Sequence, residues 1–350
     1  MENYYLHVDG KKANHAGSKA VEDCETILRE IGFIRIRAYS SFFKIKLLRK
    51  LVKGLQLLRL FFLPVGSVLV IEHPIYIKNR YLKDLKKLKE IRKIKLIFII
   101  HDIESFRKLL KNEEKYKEKD DFMISLADII IAHNPKMIKM INQVYGFPMN
   151  KMVSLDIFDY LLNTKVDSNK NKKGKDLGIM IVGNLNPKKV GYLYSSNFNN
   201  NISKFNLFGP EFDEKKLVNG NYFGQYPPDE IIEKLEGSFG LVWDGNSANT
   251  CDGNIGKYLK INNPHKTSMY IAAKYPIIIW EEAALADFVI SNGIGITIKN
   301  LWEIPEKIEK ITENEYNIML DNVSRLSDKI TSGYFLKKAL GTAVKKLEEI

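Results

Sequence analysis

Lys266 sits where a lysine is poorly placed unless an anion joins it. It belongs to the run from Asn262 to Trp280, NNPHKTSMYIAAKYPIIIW. The residue order predicts a loop, a short helix and a buried strand. Asn263 can cap the helix and Pro264 suits its first position. His265 and Lys266 then fall in the first turn, where the helix dipole already concentrates positive charge. Free backbone N–H groups, the dipole and Lys266 together make a site for phosphate or pyrophosphate. Ser268 in the same helix and Glu282, just past the strand, are grouped with this site.

Three other segments carry groups suited to the same ligand. Gly183 and Asn184 open the loop Gly183 to Lys189 after an expected strand. Open α/β sheets bind ligands at such strand ends. Lys188 could reach a diphosphate from there, or be a solvated turn lysine. Tyr226, in Phe223 to Glu230, could stack on a base or flank the diphosphate; the competing reading has Pro227-Pro228 start a helix with Tyr226 packed beside it. Asp244 ends the buried run Phe239 to Trp243. It could accept from a sugar hydroxyl, or simply shape an Asp-Gly turn. The polar loop from Asn246 to Gly256 is long enough to suggest a role.

A group transfer to a hydroxyl needs a base for the departing proton. His101-Asp102-Ile103-Glu104 follows the most apolar strand of the first half. Asp102 is the first candidate base and His101 the second. Asp102 as a helix cap is the alternative. Asp102 and Glu104 match a metal-binding Asp-x-Asp poorly, and no metal is expected. Glu104 joins His15, Ser18 and Lys19 as the acceptor-side set. The last three lie in the loop Asp9 to Lys19, where Ser18 could instead cap the next helix.

These residues must be held by alternating strands and helices. Tyr4 to Val8, Ile34 to Ala38, Ser67 to Glu72, Ile94 to Ile100 and Ile129 to Ala132 read as strands, with helices at about 19–31, 42–63 and 82–92. The polar basic stretch Asn163 to Asp176 reads as a linker. Alternation restarts with strands at Leu177 to Val182, Ser203 to Phe208 and Phe239 to Trp243, and a helix at Pro228 to Glu236. The last 25 or so residues look helical. Continuous apolar strands between helices predict parallel sheets covered on both faces.

The chain of 350 residues has room for two cores. A net charge of +12 favours anionic partners. Two cysteines make no disulfide framework. No secretory leader is read at the start, and no run approaches the roughly 20 apolar residues of a membrane span. The expected location is therefore cytoplasmic. The segment 42–63 carries six cations and no acid, which suits a peripheral helix on an anionic membrane; long cations on a core-facing helix are the alternative. There is no G-x-G-x-x-G, P-loop, H-E-x-x-H or C-x-x-C. No aromatic signature supports nucleic-acid binding despite the charge.

FIIHDIESFR (98–107), ADIIIAHNPKMIKMI (127–141), FGLVWDG (239–245), NNPHKTSMYIAAKYPIII (262–279) and NGIGI (292–296) carry a resemblance. The chain resembles bacterial β-1,6-galactofuranosyltransferases of polysaccharide assembly. It is also similar to the glucosyltransferase that extends glycans on streptococcal serine-rich-repeat adhesins. The resemblance implies a GT-B fold, two Rossmann-like domains facing across a cleft. It implies an acceptor domain over 1–162, a linker over 163–176, a donor domain over 177–325 and a last helix, 326–350, packing back on the first domain. It also implies a UDP-sugar donor, no metal or other cofactor, and UDP contacts from the Lys188 loop, Tyr226 and Lys266.

The expected function is an inverting transfer of a hexosyl group, galactofuranose by preference, from a UDP-sugar to a glycan acceptor in cell-surface polysaccharide synthesis. A lipid-linked oligosaccharide is the expected acceptor. The alternatives are a glucosyltransferase acting on an adhesin glycan, a non-catalytic UDP-sugar-binding subunit, and a nucleic-acid binder. Subunit number, including a homo-oligomer, stays open.

Overall fold

The computed structural model describes residues 2–9, 16–39, 58–75, 79–107, 113–162, 174–195, 204–215 and 219–349. His15, most of the basic segment 42–63 and most of the expected linker lie outside the described residues.

Two parallel sheets organise the chain. The first holds β1 (Asn3–Asp9), β2 (Ile34–Tyr39), β3 (Val68–His73), β4 (Lys95–Ile100), β5 (Ile129–Ala132) and β6 (Met152–Ser154). Their order is β2-β1-β3-β4-β5-β6, with every neighbour parallel. Ile97, Phe98 and Ile99 pair with Ile129, Ile130 and Ile131 in the middle of it. These central strands are apolar on both faces because helices cover both, as a parallel sheet requires.

The second sheet holds β7 (Ile179–Val182), β8 (Phe205–Phe208), β9 (Gly220–Tyr222), β10 (Phe239–Val242), β11 (Ile277–Trp280) and β12 (Gly295–Ile298). Its order is β12-β11-β10-β7-β8-β9. Read from its own first strand this is the 3-2-1-4-5-6 doubly wound order, and the order reverses between β7 and β10. A crevice at the carboxyl ends of those two strands is where such sheets take ligands.

The chain forms two compact units. One comprises Met1–Ala13, Val21–Leu155 and Leu336–Ile350; the other comprises Asn14–Ala20 and Asp156–Phe335. Residues 156–162, expected in the first domain, therefore go with the second. Their backbone is pinned there: Ser268 Oγ donates to Phe158 O at 2.7 Å, and Asp159 Oδ1 accepts from Phe335 N at 3.1 Å. From Leu336 onward the last helix, Tyr334–Glu348, belongs to the first unit. Lys337 pairs there with Glu30 at 3.0 Å, and Lys346 donates to Asn150 O at 2.6 Å.

Local signals explain the helix ends near the motifs. Asn134 caps the helix Pro135–Tyr145 by accepting from Met137 N at 2.9 Å, Pro135 fills its first turn, and Gly146 ends it at φ 67°.

Candidate functional site

In the second unit, the loops after β7 and β10 are joined by backbone. Gly245 N donates to Lys189 O at 2.9 Å, and Val190 and Gly245 form a parallel bridge. Gly183 turns the chain at φ 127° right after β7. The next strand's end comes so close that a Cβ on Gly209 would lie 1.8 Å from Gly183 O, so only glycine fits there.

Asn184 and Asn186 shape the loop beyond. Asn184 Oδ1 accepts from Asn186 N at 2.8 Å, and Asn186 Oδ1 accepts from Lys188 N at 2.9 Å. Both side-chain amides donate to Glu211, at 2.7 and 2.6 Å. Those bonds, from Asn186 first and Asn184 second, hold the Glu211 carboxyl below its ordinary range. The Lys188 side chain is exposed beside this ordered turn.

After β10 comes Trp243, fully buried, and then Asp244. Lys266 Nζ lies 2.9 Å from Asp244 Oδ1 and 3.2 Å from Trp243 O. The side chains are only 13% and 7% exposed, so this is a buried ion pair. The anion that the position of Lys266 called for is thus supplied, within the protein, by Asp244. An ammonium has three donors. Two are used by these partners, which leaves one for a ligand oxygen.

The helix carrying Lys266 is His265–Ala272. It starts one residue later than expected. Pro264 is its cap residue, with extended backbone and no side-chain cap bond, while Asn263 Nδ2 donates to Asp156 O at 3.1 Å. Asn263 therefore anchors the preceding loop instead of capping. Ser268 also has a structural partner, Phe158 O. His265 packs its ring on Tyr160, with centroids 5.1 Å apart.

Tyr270, one turn on from Lys266, was not singled out in the sequence. Its buried hydroxyl accepts from Val182 N at 3.0 Å and donates to Met180 O at 3.1 Å. It thereby ties the Lys266 helix to the end of β7. Gly240 makes room for its ring, since a Cβ there would lie 2.3 Å from it.

The long loop after Asp244 is also fixed. Asp252 Oδ1 accepts from Asn246 N at 2.5 Å and Ser247 N at 3.3 Å. Cys251 is buried within it, and burial pushes its thiol well up, which keeps it protonated. Tyr226 is half-buried, with Lys234 Nζ 6.0 Å from its ring. Glu282 is half exposed and pairs with Lys260.

Lys19, expected on the acceptor side, is placed with the second unit. Nζ donates to Leu161 O at 2.7 Å, lies 3.4 Å from Asp229 Oδ1 and stands 5.1 Å over the Tyr160 ring. Ser18 falls inside the helix Ala16–Glu30 and so does not cap it from outside.

In the first unit, groups at the carboxyl ends of β3, β4 and β5 form a polar cluster. His101 Nε2 is 2.5 Å from Glu72 Oε2. Burial raises the Glu72 carboxyl, and the His101 bond opposes that rise. His133, just past β5, is driven down to about 3, chiefly by burial and next by the His101 charge, so it stays neutral. Asp102 Oδ2 is 3.2 Å from Arg107 Nη1, which also lies 3.3 Å from Glu104 Oε1. Glu104 is buried and opens the short helix Glu104–Arg107. Asp102 is the more exposed carboxylate.

Among the described residues, Cys24, Glu72 and His101 are the one group whose ligand atoms lie within 4.8 Å of one another in a pattern that could hold a metal. A thiol, carboxylate and imidazole suit zinc. Here the imidazole and the carboxylate are bound to each other, so the set reads first as a hydrogen-bonded pair beside a thiol.

Two family models cover this chain: the glucosyltransferase 3-like N-terminal domain matches residues 2–157, and the C-terminal domain matches residues 179–343. The β-1,6-galactofuranosyltransferase WbbI of Escherichia coli K12 is 33% identical over 254 residues, 71% of each chain. Glucosyltransferase 3 of Streptococcus gordonii is 32% identical over 139 residues, 39% of this chain and 41% of that one. Among solved structures, Anabaena HepE in complex with UDP superposes with a TM-score of 0.60 at 10% identity, covering 100% of both chains. That likeness carries the fold, which is GT-B.

Proposed function

We propose that this chain, which belongs to the glucosyltransferase 3-like family, is an inverting glycosyltransferase that moves a hexosyl group from a UDP-sugar to a glycan acceptor in cell-surface polysaccharide synthesis. Galactofuranose is the first candidate sugar, because the relative that matches over 71% of both chains is a galactofuranosyltransferase. The acceptor is read as a lipid-linked oligosaccharide presented at the cytoplasmic face of a membrane.

One observation carries the donor site: Lys266 stands at a helix N-terminus, beside the point where the strand order reverses, with a donor left over. UDP leaves with its negative charge growing on the diphosphate. The spare Lys266 donor, the helix N-terminus and Lys188 stabilise that charge as it develops. Asp244 keeps Lys266 aimed and accepts from a sugar hydroxyl through its remaining oxygen. No metal is called on for this role. Asp102 takes the acceptor proton, with His101, held by Glu72, as the alternative base.

The test is calorimetry with EDTA present, using UDP, UDP-galactofuranose, UDP-galactopyranose and UDP-glucose on wild type and Lys266→Ala. Micromolar UDP binding that collapses in the variant supports the donor site, and the tightest sugar ranks the donors. A folded protein that ignores UDP overturns the reading.

A second reading rests on the identity to the streptococcal glucosyltransferase 3. It has the enzyme extend an O-glycan on an adhesin with glucose. It predicts turnover on a soluble glycopeptide without lipid. A UDP-binding subunit without catalysis would bind UDP equally well yet show no turnover change in Asp102→Asn.

A further inference from the structure

We propose that Arg35, Arg37 and Arg59 form a binding site for the phosphate of an anionic membrane lipid. The inference rests on the reading that the acceptor is lipid-linked, which gives the enzyme a use for a membrane surface.

The observations come from the first unit. β2 is the edge strand of its sheet. Arg35 and Arg37 stand two residues apart on it, so they share one face. They line a cavity of about 350 Å³ together with Arg59, Ile36 and Leu63. No acid lines it. Among the described residues, none of the three arginines has a carboxylate within 4.0 Å. Two other arginines of this unit are engaged: Arg92 donates to Leu63 O at 2.7 Å, and Arg107 pairs with Asp102 and Glu104.

Three uncompensated guanidinium groups around one cavity repel each other. An anion placed among them relieves that repulsion. Their planar forks match phosphate oxygens two at a time.

The neighbouring residues say which phosphate. Phe62 is 71% exposed and Val65 61%, and Leu58, Phe61 and Ile34 are exposed too. Phe61 and Phe62 meet edge to face at 5.7 Å, and the Arg92 guanidinium lies 5.5 Å from the Phe61 ring. Single exposed apolar residues are ordinary, but here they flank the arginines in sequence on both segments. A soluble phosphate would leave these side chains in water. A lipid headgroup brings an interface in which apolar and aromatic side chains are at home beside basic ones.

The experiment is co-sedimentation of the full chain with phosphatidylcholine vesicles, with and without phosphatidylglycerol, at about 0.1 M salt. Three proteins are compared: wild type, Arg35→Gln/Arg37→Gln/Arg59→Gln, and the charge-matched control Lys215→Gln/Lys299→Gln/Lys310→Gln. UDP binding is measured on each. The proposal expects wild type and control to bind only the phosphatidylglycerol vesicles. It expects the arginine variant to lose about a hundredfold in partitioning while UDP binding is unchanged. Phe62→Ala should weaken partitioning further without touching UDP.

Equal loss in the two triple variants, or no vesicle binding by wild type, overturns the site. So does a thermal shift with inorganic phosphate that is lost in the arginine variant without any vesicle binding. Loss of UDP binding in wild type would instead fail the transferase reading, independently of the vesicle result.

Discussion

Lys266 Nζ lies 2.9 Å from Asp244 Oδ1 across 22 residues of sequence, and both side chains are withdrawn from water. Lys266→Ala therefore has two expected effects. UDP affinity falls about tenfold to a hundredfold, the worth of a charge-assisted hydrogen bond. The fold loses about 3–5 kcal/mol, because Asp244 is left buried and unpaired. Lys266→Met/Asp244→Asn should regain most of the stability and none of the UDP affinity. Urea unfolding and calorimetry on the same samples separate the two effects. If stability and UDP affinity recover together, Lys266 acts only through packing.

Tyr270 is expected to matter as much as the charged residues. Tyr270→Phe leaves Val182 N and Met180 O without that partner, at a cost of about 1–3 kcal/mol. Gly240→Ala pushes a methyl toward the same ring and should cost a similar amount through overpacking. The urea midpoint should drop for both. An unchanged midpoint in Tyr270→Phe would mean the bond to β7 is not what holds the helix in place.

Acid stability should bear the mark of His133. Its folded pKa is lowered from 6.5 to about 3 by burial. Between those values the unfolded chain binds a proton that the native chain refuses. Its contribution to stability is therefore whole above 6.5 and falls as pH drops toward 3. His133→Gln should flatten the dependence of unfolding free energy on pH in that window. Parallel curves for the two proteins would rule His133 out as the source.

Turnover discriminates the candidate bases. Asp102→Asn is expected to lower kcat by about 10²–10⁴-fold, the usual worth of a positioned base, with UDP binding retained. If His101 is the base, the loss appears in His101→Asn instead, and Glu72→Gln shifts the pH profile of kcat. UDP release with acceptor present measures both. Full activity in both Asp102→Asn and His101→Asn would exclude both as the base.

The architecture was readable because parallel strands buried on two faces have few ways to be written. IKLIFII, IIIA and IIIW announce themselves without their neighbours. The place of Lys266 in the first turn of a helix was readable for a local reason too, the Asn-Pro pair ahead of it. What escaped depends on pairs distant in sequence. Glu72 meets His101 over 29 residues, and Tyr270 meets Val182 over 88. No local spacing foretells either. Asn263 and Ser268, grouped with the donor site by their place in the motif, also bond the backbone of Asp156 and Phe158, more than 100 residues earlier. Three-residue strands such as β6 and β9 are too short for their alternation to show.

The first unit takes most of its last helix, from Leu336 onward, from residues that follow the whole second unit. During synthesis every residue of the second unit, through Phe335, is made before the residues from Leu336 that the first unit needs. A stop codon just after Phe335 therefore injures the amino-terminal unit while every residue of the unit that carries Lys266 is still made.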